Sequence, residues 1–308
     1  MKHLTIGIFH DADIGRELGK KGTQSDIILY NRKTDDGVYS FMEPVDDKFT
    51  IKSQIASEID AAIISLEHLT KQTGETIVML DSFNVSNGLI LVPPYTDKDT
   101  INEIIENTSL QSFQIIEKNP ITILEYLQQM KPKQSKKTEP IIIIDHSFRV
   151  KGVGEIILGV VKQGIVKKHD SLVLMPQNKK VIIRSIQMQD KDVDAAEIGS
   201  RVGCALKGVK TEEISRGSVI CAEDSCIVTK KSTLHFNKNK FYHTDINNGM
   251  FHVSIGMQTV PVKLVEMSDD KIAIESEKEM VFSEEDVFLI LDLNSKKSRI
   301  VGKGFHLN

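Results

Sequence analysis

The sequence lacks several features that would mark a membrane, secreted or metal-binding protein. It has no tryptophan and only three cysteines in 308 residues, and Cys204, Cys221 and Cys226 show none of the spacings of a metal site. No apolar run approaches the ~18 residues of a membrane span. The N-terminus has neither the apolar stretch nor the cleavage site of a signal peptide. We therefore expect a cytoplasmic protein with reduced thiols and no membrane partner.

An excess of charge of one sign is also missing. The chain has 39 Lys and Arg against 43 Asp and Glu, a net charge of −4. This balance argues against a general nucleic-acid coat, and we expect no DNA partner, although a local basic face stays compatible with RNA. With 40% hydrophobic and 27% charged residues, the composition is that of a globular protein and excludes a disordered or collagen-like chain.

Residues 1–130 alternate strand and helix patterns. Apolar runs at residues 4–9, 61–66 and 88–92 predict buried strands, and residues with helical periodicity lie between them. Asn119-Pro120 predicts a helix start, because Asn caps a helix and Pro fits its first position. Strands separated by helices predict a parallel sheet with helices on both faces.

Beyond residue 130 the pattern changes twice. Residues 131–139 have the composition of a linker, and their four lysines allow two interpretations, a solvated hinge or a contact with RNA phosphates. From Pro140 onward, short β-branched runs recur at the ~8–12-residue spacing of β-barrels. We therefore predict an α/β domain over 1–130, a linker over 131–139, and all-β barrels over 140–224 and 225–308.

One segment is close to a phosphate-binding loop. Residues 15–21 read GRELGKK, with three residues between Gly15 and Gly19 where such a loop has four. Lys21 stands where Ser or Thr should hold Mg²⁺. Taken alone, this segment is a weak indication of nucleotide binding.

The second half carries a more specific signal. Residues 145–154 read DHSFRVKGVG, and the later segments LGVVKQG (158–164), RSIQ (184–187) and AEIGSRVG (196–203) follow at barrel-strand spacing. These segments resemble the second domain of the elongation factor Tu family of translational GTPases, and within it the selenocysteine-specific factors of archaea and eukaryotes. The resemblance extends over the whole chain. It implies a degenerate P-loop GTPase-like α/β domain followed by two elongation-factor-type β-barrels.

The resemblance allows each nucleotide motif to be checked. The family loop reads G-H-V-D-H-G-K-T, and residues 10–17 keep only Asp13 and Gly15 of it. His10 replaces the first Gly, Arg16 the Lys, and Glu17 the Thr. We expect the Glu17 carboxylate to point to where phosphates and Mg²⁺ would lie. At ~4 Å and an effective dielectric of about 20, each phosphate charge would repel it by about 4 kcal/mol.

The family motif D-x-P-G-H appears as MEPVD over residues 42–46. Met42 removes the carboxylate on the Mg²⁺ side. Val45 crowds the amide that approaches the γ-phosphate, and Asp46 replaces the His that positions the attacking water.

The guanine-reading motif N-K-x-D appears as Pro93, Pro94, Tyr95 and Thr96, which leaves no side chain to read the base. The third family site falls near residues 117–119. We therefore predict a pseudo-GTPase: no GTP or Mg²⁺ bound, no hydrolysis, and no other catalytic or metal site.

The first barrel carries the opposite signal. In selenocysteine-specific factors an Asp-His pair and an Arg line the pocket for the charged amino acid, and the matching residues are Asp145, His146 and Arg201. Arg and His can donate to an anion, and Asp can bind an α-amino group. The other interpretation is a relic whose side chains bond one another. Glu155 stands where the family commonly has Thr.

These observations favour a translation-linked protein that binds an aminoacyl-tRNA or a ribosome-associated component without catalysis. The alternative is a protein-interaction scaffold that has lost both nucleotide and tRNA binding. An active GTPase with altered motifs is a third hypothesis, which the replaced residues disfavour.

Overall fold

The computed structural model describes residues 2–133, 135, 137–246 and 249–307, so Gln134 and Lys136 of the predicted linker lie outside the described residues. The chain divides into two compact units. The first comprises Met1–Lys133 with Asn294–Ile300, and the second comprises Gln134–Leu293 with Val301–Asn308. Asn294–Ile300, which we expected within the second barrel, thus groups with the first unit.

The first unit is built on a seven-stranded sheet in the order β2-β3-β4-β1-β5-β6-β7. Its strands are β1 (Lys2–Phe9), β2 (Lys20–Gln24), β3 (Ile27–Lys33), β4 (Gly37–Pro44), β5 (Ala61–Ser65), β6 (Gly88–Val92) and β7 (Gln114–Glu117). Its helices are α1 (Ile14–Leu18), α2 (Phe49–Glu58), α3 (Lys71–Ser82), α4 (Lys98–Ile105) and α5 (Pro120–Gln129). Fully buried strand residues such as those of β5 and β6 form the core, as expected for strands covered on both faces.

The prediction of a purely parallel sheet was wrong. Strands β4, β1, β5, β6 and β7 pair in parallel, but β2, β3 and β4 are antiparallel neighbours. The sequence signal for β2 is weak because all of its residues are exposed and polar or glycine, so no alternation with apolar residues marks the strand.

In the second unit, residues 141–221 form a closed barrel in the order β11-β16-β8-β9-β15-β12, and the β11–β12 pair closes it. Its strands are β8 (Ile141–Val150), β9 (Gly154–Gln163), β10 (Ile165–Lys167), β11 (Ser171–Met175), β12 (Lys179–Met188), β13 (Lys191–Val193), β14 (Ala195–Glu197), β15 (Arg201–Lys207) and β16 (Val219–Cys221). Inward-facing Ile, Val and Leu side chains alternate with outward ones and fill the interior.

A second closed barrel follows in the order β17-β20-β19-β18-β21-β22. Its strands are β17 (Ile227–Lys238), β18 (Met250–Ile255), β19 (Gln258–Met267), β20 (Lys271–Phe282), β21 (Val287–Leu291) and β22 (Ile300–His306). The predicted fold class, an α/β domain followed by two β-barrels, is confirmed. No helix in the described part of the chain is both long enough and apolar enough to cross a membrane.

Candidate functional site

The turn after β1 keeps a backbone shape that normally favours glycine. His10 has φ = 62°, in the left-handed region where glycine is free of the Cβ penalty. Its ring is fixed by a 2.8 Å hydrogen bond between Nε2 and Thr76 Oγ1. Burial, helped by the charge of Lys52, lowers the pKa of His10 to about 4. The imidazole is therefore neutral at pH 7 and serves as a packed part of the turn.

The next residue, Asp11, places a carboxylate against the amides of this loop. Its Oδ1 accepts hydrogen bonds from the backbone N–H groups of Asp13 (3.1 Å) and Ile14 (3.0 Å). It also accepts one from Lys118 Nζ (2.9 Å), and only 4% of the Asp11 side chain is exposed. In nucleotide-binding loops such amides surround phosphate. Here two of them are already satisfied by the chain's own carboxylate.

Lys118 follows β7 and reaches across to the loop after β1. Burial alone would lower its pKa, but the hydrogen bond and charge of Asp11 outweigh burial, and the pKa is raised. The neighbouring Asn119 accepts from the N–H groups of Ile121 and Thr122 and caps α5, as predicted. The ion pair therefore joins two loops at the carboxyl edge of the sheet, where open α/β folds bind their ligands.

The other predicted residues of the loop lie at its surface. Asp13, Arg16 and Glu17 are all exposed. The charge of Glu17 acts on Lys118 and helps to raise its pKa. The carboxylate that bonds the loop amides belongs to Asp11, and the direction expected for Glu17 stays a prediction.

Gly15 is required by a close approach. A Cβ at this position would lie 2.5 Å from the Tyr30 ring and 2.7 Å from Glu43 Oε2, so side chains from β3 and β4 pack directly on the loop. The helix α1 has only five residues, and Gly19 alone separates it from β2. This connection leaves no segment between α1 and β2 that could fold over a γ-phosphate as GTPase switch segments do.

Glu43 occupies the second motif region, and its carboxyl is 6% exposed. Burial, followed by the negative charge of Asp11, raises its pKa to about 7. Its buried Oε2 has no hydrogen-bond partner among the residues the structure describes. A buried carboxyl with an unpaired oxygen is costly when ionised, so Glu43 keeps its proton to a higher pH than an exposed carboxyl does.

The remaining predicted residues of this motif have local roles. Met42 is buried in β4. The N–H of Val45 donates to the Asp26 carbonyl at 2.9 Å, so this amide is already bonded. Asp46 Oδ2 lies 2.8 Å from Lys48 Nζ, and the hydrogen bond from Lys48 lowers the pKa of Asp46.

The segment at the guanine-reading position is a tight turn after β6. Thr96 Oγ1 donates to the Pro93 carbonyl at 2.7 Å, and Pro94 is exposed. Tyr95 has φ = 65° and is fully exposed. The hydroxyl of Thr96 is thus used within the turn, and the turn presents an aromatic ring to solvent.

In the first barrel, the three predicted pocket residues lie together. Arg201 on β15 donates two hydrogen bonds to Asp145, from Nη1 to Oδ2 at 2.6 Å and from Nη2 to Oδ1 at 2.9 Å. His146 Nδ1 lies 3.4 Å from Asp145 Oδ1. The pairing of β8 with β9 shifts register between Ile144 and His146, and such bulges redirect side chains. The bulge therefore explains how consecutive polar residues reach one cluster.

This cluster is largely shielded from water. The exposed fractions are 5% for the Asp145 side chain, 9% for Arg201 and 21% for His146. Burial would raise the pKa of Asp145, but the charge of Arg201 and the hydrogen bonds from His146 and Arg201 outweigh it, so the pKa is lowered. The Arg201 pair uses two of the five guanidinium N–H donors, which leaves donors for a ligand.

Glu155, which stands where the family commonly has Thr, forms a hydrogen bond and an ion pair with other residues. Its Oε2 accepts a hydrogen bond from Thr211 Oγ1, and its Oε1 lies 3.5 Å from Arg149 Nε. The carboxylate is therefore engaged on β9 by residues outside the Asp145 cluster.

Sequence reasoning missed Asp11, Glu43 and Lys118 as parts of the first site. Asp11 had a recognisable signal, since Asp ahead of a short helix commonly bonds its first amides. For Lys118, the family frame placed the third site near residues 117–119, but no local pattern paired it with Asp11, from which 107 positions separate it. Among the described residues, no group of three or more His, Cys, Asp or Glu side chains is placed to hold a metal ion.

Comparison with known proteins agrees with this architecture. Residues 154–221 match the family model of elongation factor Tu domain 2. The chain is 35% identical to an uncharacterized protein of Methanocaldococcus jannaschii, over 99% of both chains. It is 28% identical to the selenocysteine-specific elongation factor of the same organism, over 70% of this chain and 51% of that factor. The chain thus spans about half the length of that relative.

A solved structure shows the same fold. Translation elongation factor SelB from Methanococcus maripaludis, in complex with the GTP analogue GppNHp, superposes with a TM-score of 0.85 at 22% identity. The match covers 100% of this chain and 79% of that one. At this level of identity the likeness carries the fold and leaves the chemistry of each site to its own residues.

Proposed function

Because the chain belongs to the elongation factor Tu-type family of translational GTPases, close to its selenocysteine-specific members, we propose that it is a pseudo-GTPase. In this proposal it is a translation elongation factor-like protein that engages an aminoacyl-tRNA, or another translation component, without binding or hydrolysing GTP.

The observation that carries the proposal is the Asp11–Lys118 ion pair. A bound nucleotide would need the loop amides that Asp11 now accepts from, and its phosphate charges would meet a buried carboxylate. Two negative charges at ~4 Å repel each other by about 4 kcal/mol at an effective dielectric of about 20. GTP and Mg²⁺ therefore do not fit the residues present, and no step of the proposed function passes through them.

A melting experiment tests the nucleotide half of the proposal. A site with micromolar affinity would stabilise the protein by about 4 kcal/mol at a thousandfold excess of ligand. We expect no rise in Tm at millimolar GTP with Mg²⁺, and the same result with ATP as the matched control. A rise with GTP alone would refute the pseudo-GTPase proposal.

The binding half of the proposal rests on the Asp145–His146–Arg201 cluster. The Arg201 and His146 side chains lie beside a buried carboxylate, and His146 is the most exposed of the three. Arg201 and His146 can donate to an anionic group, while Asp145 can accept from an amino group. This donor and acceptor set suits the free end of a charged amino acid. Without a nucleotide, binding would not be switched by hydrolysis.

The test compares charged and deacylated forms of the same tRNA. If the cluster contacts the aminoacyl end, charged tRNA should bind more tightly, and His146→Ala or Arg201→Lys should remove most of the difference. One charge-assisted hydrogen bond contributes about 1.5–3 kcal/mol, roughly ten- to a hundredfold in Kd. Arg184→Lys is the matched control, because Arg184 donates to the Val153 carbonyl outside the cluster.

One observation favours the alternative of a scaffold. The bidentate Arg201–Asp145 pair satisfies both charges internally, as a structural relic would. Equal binding of charged and deacylated tRNA, or binding of neither, would refute the aminoacyl pocket and favour the scaffold.

A further inference from the structure

Two of the three cysteines lie at the junction between the barrels. Cys221 is the last residue of β16, and Cys226 directly precedes β17. Between them the chain reverses in a turn, with the Ser225 N–H donating to the Ala222 carbonyl at 3.2 Å and Asp224 at φ = 61°. This turn brings the two ends of the short connection back toward each other.

Strand pairing and the neighbouring cavity place the two cysteines beside common residues. Cys221 pairs with Ile141 across β16 and β8. Ile141 also lines a cavity together with Cys226, Lys162 and Asp286, the last two forming an ion pair. Cys221 is fully buried, while Cys226 is partly exposed. Cys226 is therefore the residue of the pair that contacts solvent.

The two thiols act on each other's pKa. A hydrogen bond between their side chains lowers the pKa of Cys221 and, together with burial, raises the pKa of Cys226. Cys204 provides a contrast, since burial in the first barrel raises its pKa to about 12.

We propose that Cys221 and Cys226 are a redox modification site that closes to an intramolecular disulfide and reopens on reduction. With hydrogen peroxide as oxidant, the O–O bond breaks, the S–S bond forms, and the two thiols give up two protons and two electrons to yield two waters. A small dithiol reverses the reaction and is itself oxidised to its disulfide. The product would bridge the last strand of one barrel and the first strand of the next.

Thiol counting with mass spectrometry tests the site. The reduced protein should show three free thiols. After treatment with hydrogen peroxide it should show one, with a loss of two hydrogens and a peptide linking residues 221 and 226. Cys204→Ser is the matched control, because it should leave this disulfide unchanged and reduce the remaining count to none. Dithiothreitol should restore the original counts.

Variants that keep only one of the two cysteines test whether their different exposure to solvent decides which thiol reacts. Cys221→Ser leaves the partly exposed Cys226, which should then form a mixed disulfide with glutathione disulfide. Cys226→Ser leaves the buried Cys221, which should stay unmodified in the folded protein. The proposal is overturned if the wild type keeps three thiols, if Cys204 enters the disulfide, or if only disulfides between separate molecules form. The outcome is independent of nucleotide or tRNA binding, so it can fail while the proposed function stands.

Discussion

Two buried aspartates organise the two candidate sites, and they are bonded in different ways. Asp11 in the first unit accepts from two amides of its own loop and from one lysine. Asp145 in the first barrel is held by an arginine and faces a histidine. The exposed fractions are alike, 4% and 5%. The difference lies in what remains free around each carboxylate.

At Asp11 the chain's own carboxylate accepts from two backbone donors of the loop. At Asp145 the Arg201 guanidinium has N–H donors beyond the two that the carboxylate uses. The comparison teaches that the two loop amides at Asp11 donate to a side chain of the protein itself. At Asp145, by contrast, Arg201 has more N–H donors than the carboxylate uses. The following predictions test this difference, from the largest expected effect to the smallest.

Removing Arg201 should have the largest effect on stability. Arg201→Ala leaves the buried Asp145 carboxylate without its bidentate partner, which costs about 3–5 kcal/mol for a buried pair. Urea denaturation at pH 7 measures the loss. The double variant Arg201→Met with Asp145→Leu should recover most of it, because apolar side chains of similar volume replace both charges. A single-variant loss under about 1 kcal/mol would show that the pair is weakly coupled.

Replacing Glu43 should change the pH dependence of stability. The pKa of Glu43 is raised from 4.5 to about 7, so between these values the folded protein keeps a proton that the unfolded chain has released. Its contribution to stability therefore falls as pH rises through this window, and the penalty is complete above pH 7. Glu43→Gln should gain about 2–3 kcal/mol over wild type at pH 8 and almost nothing at pH 4.

His10 titrates in an overlapping window with the opposite sign. Its pKa falls from 6.5 to about 4, so stability is lost as pH falls below 6.5. This contribution is common to wild type and Glu43→Gln, and it cancels in their difference. Denaturation curves of both proteins at several pH values measure the effect. A difference that does not grow with pH would contradict the raised pKa of Glu43.

Removing the Asp11 carboxylate should have a smaller effect. Asp11→Ala frees two loop amides and Lys118, and loss of a comparable helix cap costs about 1–2 kcal/mol. Asp11→Asn keeps an acceptor for the amides and removes the charge, so it should cost less than Ala. Thermal melts of the three proteins measure the order. Equal losses for Ala and Asn would place the stabilisation in the charge rather than in the amide bonds.

Removing Lys118 should have the smallest effect. Its side chain is 34% exposed, and exposed ion pairs contribute about 0–1 kcal/mol. Lys118→Ala should therefore cost up to about 1 kcal/mol, and the cost should shrink as salt rises. In combination with Asp11→Asn, Lys118→Ala should add almost nothing. A salt-independent loss well above 1 kcal/mol would show that Lys118 has a second role.

Much of the fold could be predicted from the sequence where one local signal dominates. Strands β6, β11 and β21 coincide with short apolar runs, and α5 begins at the Pro that follows its Asn cap. Strand β2 escaped prediction, because it has no buried face to impose alternation. Strand β3, which is buried over its first four residues, was missed with it. Because β2 and β3 were missed, the antiparallel part of the sheet was missed as well, and the sheet was predicted to be parallel.

The residues of the candidate sites also differ in whether the sequence alone could identify their roles. The sequence by itself determined the family, the order of an α/β domain and two β-barrels, and the residues of the Asp145 cluster, since these depend on residue types in known frames. Only the tertiary structure decided that Asp11, rather than Glu17, bonds the loop amides, and that Lys118 reaches it over 107 positions. The tertiary structure also decided that Glu43 is buried and that Arg201 donates two hydrogen bonds to Asp145. The physical reason is that burial and long-range pairing depend on which chain segments pack together, and local sequence patterns do not specify those contacts.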